Sequence, residues 1–317
     1  MNRLLTGLAA LIALLLVCCA ASADTVTMGN VSVDSTAAQV DFGSQRVENL
    51  QQLERFLDQM PNLTKCDMYT TNMTRAWAAE LSEKYPQVEF GWTFRIPCTK
   101  NGADFTHIIR TDATAFSTLH NNQSPLHTAA DFEVFKYCHH LLALDIGHNN
   151  VEDLSFLQYL PQLRVLIIGR NNNLTDISPL AGCPDLEYLE AFTCKIESVA
   201  PLLSCTHLLD LNIPNNRVRD PELLAQLTSL RRLWAFNCVS SVLSEDRVDS
   251  SVKSKVRSAL PDCQIDWYSS GTGGYWRTVD GSDAGRKTPH YEVIYNMFQS
   301  GEYIPFEDSQ PLREVQP

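Results

Sequence analysis

The feature that most constrains this chain is a column of leucines spaced about 22 residues apart in its central third. Successive members are separated by 22, 23, 22 and 22 residues, and the column comprises Leu144, Leu166, Leu189, Leu211 and Leu233. A second leucine stands three positions before each of them, and a small or branched apolar residue stands two positions after. A period this regular indicates one structural unit repeated along an axis, in which each unit contacts its neighbours.

The position five residues after each leucine completes a recognisable pattern. It holds Asn149, Asn171, Cys194, Asn216 and Cys238. Each unit thus follows L-x-x-L-x-L-x-x-(N/C), the signature of a leucine-rich repeat. The single 23-residue unit carries its extra residue in "GRNNNLTDI", within a turn, where insertions are tolerated. The sequence therefore predicts a solenoid in which each repeat forms one coil.

The same pattern predicts the layers of each coil. The L-x-L segment is a short strand whose alternate side chains point inward, and the strands of successive coils pair in parallel. A return segment, marked by Leu157, Leu180, Leu202 and Leu224, covers the other side. We therefore predict an α/β fold: a leucine-rich repeat solenoid with a parallel β-sheet on the concave face, helical or irregular convex segments, and a cap at each end.

The Asn and Cys positions have a structural interpretation. The Asn side chains are predicted to bond turn backbone groups that stacking would otherwise bury without partners. Cys183 and Cys205 share a column with leucines, so we interpret the cysteines as small apolar filler. A disulfide between these two stays open as an alternative, although neighbouring coils aim their side chains in parallel. No C-x-x-C pair occurs in the sequence, so zinc or thioredoxin-like chemistry has no support.

Looser coils precede the regular ones. They centre on Val40, Cys66 and Phe90, with a less regular rung near Phe116. The segments "ENLQQLERFLDQM" and "TRAWAAELSEKY" have helical spacing and good helix formers, which predicts true helices on the convex side. The segments "KYPQVEFGW" and "ALPDCQIDW" match at an offset of 175 residues, and each predicts a helix end, a proline and a strand.

The composition changes near the C-terminus. The stretch "GTGGYWRTVDGSDAGRK" is rich in glycine but lacks the phosphate-loop pattern G-x-x-x-x-G-K-[ST]. Beyond it, Thr288 as N-cap and Pro289 at the first helical position predict a short helix that ends near Gly301. Because the last coil of a solenoid leaves its leucines open to water, this amphipathic segment is predicted to cap that coil.

The N-terminus predicts secretion. Arg3 precedes an apolar run from Leu4 to Val17 and an "AASAD" cleavage pattern, so residues 1–23 are interpreted as a cleaved signal peptide. Lipoprotein anchoring through Cys18 or Cys19 stays open as an alternative. Cleavage leaves 24 Lys plus Arg against 37 Asp plus Glu, a net charge of -13, and such a surface repels nucleic acid and anionic lipid. No later stretch has the roughly 20 apolar residues that a membrane span needs.

The predicted organisation of the chain follows from these features. In chain order it is a signal peptide at 1–23, N-terminal degenerate repeats and cap at 24–137, regular 22-residue repeats at 138–240, a final irregular helix-strand rung at 241–270, a C-terminal cap at 271–306, and a disordered tail at 307–317.

Residues that flank the inward leucines are candidates for partner binding. Aromatic and arginine side chains, the types that dominate interface hot spots, concentrate in the C-terminal coils. The predicted concave binding site comprises Tyr188, Glu190, Phe192, Asp210, Asn212, Arg231, Arg232, Trp234 and Phe236. The alternative is that the C-terminal cap folds over Trp234 and Phe236.

Histidines cluster in residues 107–148. They are His107, His120, His127, His139, His140 and His148, with Asp112 and Asp131 nearby. Their spacings match neither H-E-x-x-H nor a zinc-finger pattern, and no G-x-S-x-G elbow is present. We therefore predict no metal, no cofactor and no catalytic residue. A hydrolase that uses this segment stays the least favoured hypothesis.

The run from Leu141 to Leu189, notably "LTDISPL", resembles the internalin-type leucine-rich repeats of bacterial surface proteins. The stretches "RTDATAFSTLH" and "YCHHLLALDIGHN" resemble more closely the secreted repeat proteins of clostridial (Firmicutes) gut bacteria. This resemblance covers residues 86–240 and implies a right-handed arc used for protein binding. The leading hypothesis is a secreted, non-enzymatic binder of a protein on a host or bacterial surface. A binder of cell-wall or mucin glycan is the alternative.

Overall fold

The computed structural model describes residues 24–100, 103–118, 127–239, 248–269, 276–279 and 285–306. The predicted signal peptide and the predicted disordered tail lie outside the described residues, as does His120. Among the residues that are described, no helix is long and apolar enough to span a bilayer.

The N-terminal part contains a hairpin and three parallel rungs. Strands β1 (Thr25–Met28) and β2 (Val31–Asp34) pair antiparallel. Strands β3 (Gln39–Asp41), β4 (Lys65–Asp67) and β5 (Glu89–Gly91) then form a three-stranded parallel sheet. The degenerate coils predicted around Val40, Cys66 and Phe90 are therefore confirmed, since these three residues pair across the sheet.

Two helices connect these rungs, as predicted. Helix α1 (Leu50–Leu57) begins at the N-cap Asn49 and buries one face. Helix α2 (Arg75–Lys84) begins at the N-cap Thr74, whose hydroxyl accepts a hydrogen bond from the Trp77 backbone N–H at 3.2 Å. In each case a cap side chain satisfies a first-turn N–H group that has no partner within the helix.

A hairpin that the repeat pattern does not predict interrupts the parallel ladder. Strands β6 (Thr93–Lys100) and β7 (Ala103–Arg110) pair antiparallel, with Phe94 opposite Ile109. Phe94, Ile96 and Ile109 are buried in the solenoid core, whereas Ile108 is 54% exposed. The hairpin separates the three-stranded sheet from the regular coils, so the described parallel strands form two sheets.

The regular coils form a seven-stranded parallel sheet. Its strands are β8 (Ala115–Ser117), β9 (Ala143–Asp145), β10 (Val165–Ile167), β11 (Tyr188–Glu190), β12 (Asp210–Asn212), β13 (Arg232–Trp234) and β14 (Gln264–Asp266), in that order. Leu144 pairs with Leu166, and each later leucine of the column pairs with the next. The predicted α/β leucine-rich repeat solenoid is confirmed, including the rung near Phe116.

The opposite side of each coil is mostly a 3-10 turn. These turns span Ala129–Tyr137, Ser155–Tyr159, Ser178–Gly182, Ala200–Ser204 and Pro221–Gln226. Three of them carry a proline in the first two positions, where its fixed φ is compatible with the turn. Helix α3 (Ser250–Ala259) takes this place in the last rung, as "ALPDCQIDW" predicts.

The cysteines are filler in this stack. The seven cysteines whose side chains the structure describes are free thiols, and six of them are buried. The Cys183 thiol donates to the Leu160 carbonyl and the Cys205 thiol to the Leu180 carbonyl, at 3.7 and 3.5 Å. Cys183 and Cys205 therefore do not form the disulfide that the sequence left open as an alternative. Burial raises the pKa of Cys183 to about 11 and that of Cys205 to about 12, which makes both thiols poor nucleophiles.

The Asn ladder ties adjacent coils together. The Asn171 carbonyl oxygen accepts from the Val151 N–H at 2.9 Å, and its amide donates to the carbonyls of Ile146 and Ile168 at 3.0 and 2.8 Å. Asn216 makes the equivalent bonds two coils later. The amide side chain therefore satisfies buried backbone groups of its own coil and of the preceding one.

The ladder predicts a large effect for one substitution. Asn171→Ala leaves the Val151 N–H without its partner, whereas the Ile146 and Ile168 carbonyls keep Asn149 and Cys194 as donors. It should therefore lower the free energy of unfolding by about 1–3 kcal/mol. Urea unfolding followed by circular dichroism measures this loss. The matched control is Asn173→Ala, at an exposed position whose amide bonds only other exposed side chains. Equal losses for the two variants would contradict the role of the ladder.

The residue before each ladder position adopts a left-handed backbone. These residues are His148, Arg170, Thr193, Asn215 and Asn237, with φ between 48° and 60°. A β-branched residue is unfavourable in this region, whereas Asn tolerates it. Thr193 is therefore the most strained member of the column.

Thr193→Asn should relieve this strain and raise the free energy of unfolding by about 1 kcal/mol. The reciprocal change, Asn215→Thr, should lower it by at least as much, because it also removes the bond that Asn237 donates to Asn215. Thermal unfolding of both variants beside the wild type measures the two shifts. A destabilised Thr193→Asn protein would show that the hydroxyl, and not the backbone, governs this position.

The C-terminal helix has the predicted ends. Helix α4 (Pro289–Ser300) follows the N-cap Thr288, whose hydroxyl accepts from the Tyr291 N–H at 3.2 Å. It ends at Gly301, which has a φ of 75°, a conformation that glycine adopts without strain.

The position of this segment differs from the expected one. The sequence places the 271–306 cap over the leucines of the last coil, but α4 contacts β8 and β9 near the other end of the sheet. The Gly301 carbonyl accepts from the Ala115 N–H at 3.1 Å. The segment lies across the sheet because it carries side chains that complement the acids there, a long-range match that helix periodicity does not reveal.

Candidate functional site

The candidate site is the sheet face that points away from the leucine core. In each strand the residues before and after the central leucine project from this face, which we call the concave face. The strand register places Tyr188, Asp210 and Arg232 side by side, and likewise Glu190 beside Asn212 and Asn212 beside Trp234. The structure thus brings six of the nine predicted binding residues into two adjacent rows.

Most of the predicted binding residues are buried. Tyr188, Glu190, Phe192, Asp210, Asn212 and Trp234 are at most 3% exposed. Arg232 and Phe236 are half-buried, and Arg231 is exposed. The alternative weighed from the sequence, a C-terminal segment folded over Trp234 and Phe236, describes the arrangement found.

The covering segment consists of residues 276–279 and 285–306. It forms a second apolar cluster with the concave face, separate from the leucine core. The members that the segment supplies are Trp276, Ile294, Met297 and Phe306, and those of the sheet are Ala115, Ala143, Val165, Ile167, Tyr188 and Trp234. Burial of these side chains on both partners supplies the hydrophobic part of the contact.

Arg277 makes the principal polar contact. Its Nε lies 3.1 and 3.0 Å from the two carboxylate oxygens of Glu190, and its Nη2 lies 2.6 Å from Oε2. Burial by itself would lower the pKa of Arg277, but the charge of Glu190 outweighs it and raises that pKa well above the usual value. The contact is a buried ion pair, and loss of one partner would cost about 3–5 kcal/mol.

Trp276 lies beside this ion pair. Its Nε1 donates to the Tyr188 hydroxyl at 3.0 Å, and that hydroxyl in turn donates to Glu190. The indole stacks on Trp234 with ring centroids 6.2 Å apart and an angle of 13° between planes. On the other side the Arg232 guanidinium lies 3.7 Å from the ring centroid, a cation–π contact.

Asp210 is a second anchor, but an incompletely satisfied one. Its Oδ2 accepts from Arg232 Nη1 and from His290 Nδ1, each at 3.1 Å. Among the described residues, no group hydrogen-bonds the other oxygen, Oδ1, or either polar atom of the Asn212 amide. A buried polar atom without a partner costs about 1–3 kcal/mol, so this part of the contact is poorly matched.

Tyr303 anchors the far end of the segment. Its N–H donates to the Thr114 hydroxyl at 2.8 Å, and its hydroxyl lies 3.3 Å from Glu187 Oε2. Glu187 also pairs with Arg164 at 2.9 Å. The covering segment therefore contacts the concave face from β13 to β8.

Asp145 is a buried acid on the same face. Its carboxylate accepts from the Gly147 N–H at 3.0 Å and from the Ser117 hydroxyl at 3.1 Å. Burial raises its pKa to about 6, the charge of Arg277 opposes this shift, and the charge of Glu190 adds to it. The face thus contains four buried acids, which are Asp145, Glu187, Glu190 and Asp210.

Asp145 predicts a pH dependence of stability. Its folded pKa of about 6 exceeds the ordinary value of 3.8, so between these values the folded state binds a proton that the unfolded state has released. Its contribution is therefore most favourable below about pH 4 and is lost as the pH rises to about 6, with a slope of at most ~1.4 kcal/mol per pH unit. Asp145→Asn should remove this slope.

Urea unfolding of the wild type and of Asp145→Asn between pH 4 and pH 7 measures the difference. The control is Asp249→Asn at the exposed N-cap of α3, where hydrogen bonds from Ser251 lower the pKa of the aspartate. That group contributes stability that is lost only as the pH falls, so its substitution should leave the pH 4–6 slope unchanged. If the free energy of unfolding changed with pH in the same way for the wild type and for Asp145→Asn, Asp145 would not be the source of this pH dependence.

The histidine segment does not come together as one cluster. His107 Nδ1 lies 3.1 Å from His127 Nε2, and His127 Nδ1 lies 3.7 Å from Asp131. Burial lowers the pKa of His127, which favours its neutral form. His140 instead pairs with the Glu89 carboxylate, and His148 lies against Phe192. In the described part of the chain, no three potential ligands form a metal site.

Sequence reasoning missed the residues that contact the predicted site. Trp276, Arg277, His290 and Tyr303 lie between 44 and 189 residues from the groups that they bond. One signal could have found them. The stretch "YWR" places an aromatic residue beside an arginine, which complements a sheet face that carries a column of acids.

Comparison with known proteins agrees with this geometry. A family model described as leucine-rich repeats, in two copies, matches residues 139–182 and 161–204. These coils are leucine-rich repeats. The match covers the coils of β9, β10 and β11, whereas the coils of β12 and β13, the earlier rungs and the covering segment lie outside it. No curated protein matches the chain.

Several solved structures are similar to the chain. An internalin (inlF) from Listeria monocytogenes has a TM-score of 0.38 and 18% identity, with 74% of this chain and 56% of that chain covered. The internalin inlC2 from the same species has a TM-score of 0.37 and 18% identity, with 74% and 84% covered. The leucine-rich repeat protein LIC12759 of Leptospira interrogans has a TM-score of 0.39 and 17% identity, with 67% and 45% covered.

The chain thus spans little more than half the length of the first of these structures. Internalins are among the similar proteins, as the resemblance in the repeats implies, while the closer likeness to clostridial gut bacteria stays a prediction. At these identities the likeness concerns the fold alone. The ligand must be inferred from the site itself.

Proposed function

We propose that this chain is a secreted, non-catalytic module that binds a protein partner through the concave face of its leucine-rich repeats. The observation that carries the proposal is the chemistry of that face. Tyr188, Trp234 and Arg232 are residue types that supply most of the energy in protein interfaces, and Glu190 and Asp210 add directional charge. The face already holds polypeptide, namely the covering segment of residues 276–279 and 285–306, which supports a protein ligand.

The proposed partner-binding residues are the nine predicted from the sequence. Those that the covering segment buries would contact a partner after this segment has moved away. Arg231 and Phe236 lie at the edge and stay accessible in part. Arg231 shares a column with Arg164 and Glu187, which contact Tyr303 of the segment. It therefore lies on the same side of the sheet and can contact a partner at the rim.

A cell-wall or mucin glycan is the alternative ligand, and the geometry favours it less. The groups that occupy the face are an indole on Trp234 and a guanidinium on Glu190, which polypeptides carry and glycans lack. A hydrolase that uses the histidine segment has less support still, because His140 pairs with Glu89 and His148 lies against Phe192, apart from the pair of His107 and His127. Secretion rests on the signal-peptide pattern of residues 1–23.

Binding arrays test the proposal. The chain from residue 24 is applied to a protein array and to a glycan array, and the affinity for any protein ligand is measured by surface plasmon resonance. Arg231→Glu should weaken binding by about tenfold, ~1.4 kcal/mol, because it reverses a charge at the rim. Arg219→Glu is the control, since Arg219 is also exposed but lies outside the strands.

The outcomes separate the hypotheses. Saturable binding on the protein array, with a loss specific to Arg231→Glu, is the expected result. Binding confined to the glycan array would replace the proposal with the alternative. Equal losses for the two arginine variants would move the interface away from the concave face.

A further inference from the structure

The covering segment contacts the solenoid as a ligand contacts a receptor. None of its described residues belongs to the leucine core, which is complete without it and extends from Val26 to Trp267. The segment adds no strand to the seven-stranded sheet, whose last rung is β14. Its departure would therefore break neither the parallel ladder nor the stacking of the coils.

The polar contacts of the segment are concentrated in a short stretch. Trp276 and Arg277 are adjacent in sequence, and together they bond Tyr188 and Glu190 and stack on Trp234. The planar guanidinium of Arg277 binds the buried carboxylate of Glu190, and next to it the Trp276 indole stacks on the Trp234 indole. These two contacts define the charge and the shape of a ligand that can bind at this place.

The fit is incomplete next to this stretch. Asp210 Oδ1 and both polar atoms of Asn212 are buried beneath the segment, and no described residue hydrogen-bonds them. The resident segment supplies His290 to the other oxygen of Asp210. A ligand with donors for the two oxygens and an acceptor for the Asn212 amide would satisfy groups that the segment leaves unsatisfied, and it would gain affinity over the segment.

We propose that the concave face is a receptor for a polypeptide segment that presents a tryptophan followed by an arginine, that the covering segment is its resident occupant, and that a partner protein with this chemistry binds by displacing it. The inference rests on the proposed function, because it names the chemistry of the protein partner and the step that admits it. Glu187 and Asp210 already pair with arginines of the sheet, so the selection falls to Glu190, whose charge favours a cationic ligand and disfavours an acidic one.

A peptide in trans tests this exchange. The probe is a fluorescent peptide with the sequence of residues 274–306, and the receptors are the chain from residue 24 and its Arg277→Gln variant. The wild-type chain binds the peptide weakly because its own segment competes at a high effective concentration. In the variant the resident segment is weakened, so the peptide should bind at least about tenfold more tightly, ~1.4 kcal/mol.

Matched peptides and receptors establish the mode of binding. A peptide that carries the Arg277→Gln change should lose about tenfold in affinity for the variant chain, and a chain that carries both Arg277→Gln and Glu190→Gln should lose the preference between the two peptides. A second receptor, His290→Gln, weakens the other anchor and keeps the test valid if Arg277→Gln does not fold. Circular dichroism and thermal unfolding confirm that each receptor retains the solenoid.

Three results would overturn the inference. Folded Arg277→Gln and His290→Gln chains that do not bind the peptide would show that the segment is a permanent cover. Equal affinity for the two peptides would show that the arginine is not recognised. A concentration-dependent dimer of the wild-type chain in sedimentation, abolished by Glu190→Gln, would identify a second copy as the occupant in place of another protein. The peptide assay needs no natural partner, so its outcome is independent of the array experiment.

Discussion

The fold depends on one constraint: no single coil can bury its own leucines. Leu166 is fully buried only because Leu144 and Leu189 lie on the rungs before and after it. Apolar burial therefore drives stacking along one axis, and each buried leucine contributes about 2 kcal/mol. Stacking in turn buries the turn backbone, which Asn171 and its equivalents satisfy. The ladder is a consequence of the leucine column.

Because the leucines point inward, the residues between them can vary without loss of the core. In β9, β11, β12 and β13 several of these positions hold acids or aromatic residues. The acids of this face lose hydration when they are buried, and this loss costs free energy unless a partner compensates it. Asp145 shows the cost directly, since burial raises its pKa to about 6. The covering segment offsets part of this cost with Arg277. The sheet and its cover are thus complementary surfaces, each of which is less stable when exposed by itself.

The sequence predicts what is local or periodic. The 22-residue period identifies the coils, the strand register and the Asn column, and Thr288, Pro289 and Gly301 mark both ends of α4. The hairpin β6–β7 is missed because it breaks the repeat period, although the Asn-Gly dipeptide at positions 101 and 102 is a sequence signal for a two-residue hairpin turn. The location of the cover is missed because Arg277 and Glu190 are 87 residues apart. Such a contact depends on which side chains the fold brings together, and the periodic pattern of the sequence carries no information about it.

The kind of anchor also bears on how permanent the cover is. A buried ion pair adds little net stability compared with an apolar contact of the same size, but it discriminates strongly against a wrong partner, since a lone buried charge is costly. The pair of Arg277 and Glu190 therefore contributes more to selectivity than to affinity. Apolar residues on α4 supply the affinity, and Asp210 and Asn212 remain partly unsatisfied. An occupant held in this way is specific to its place and can still be outcompeted by a ligand that satisfies those remaining groups.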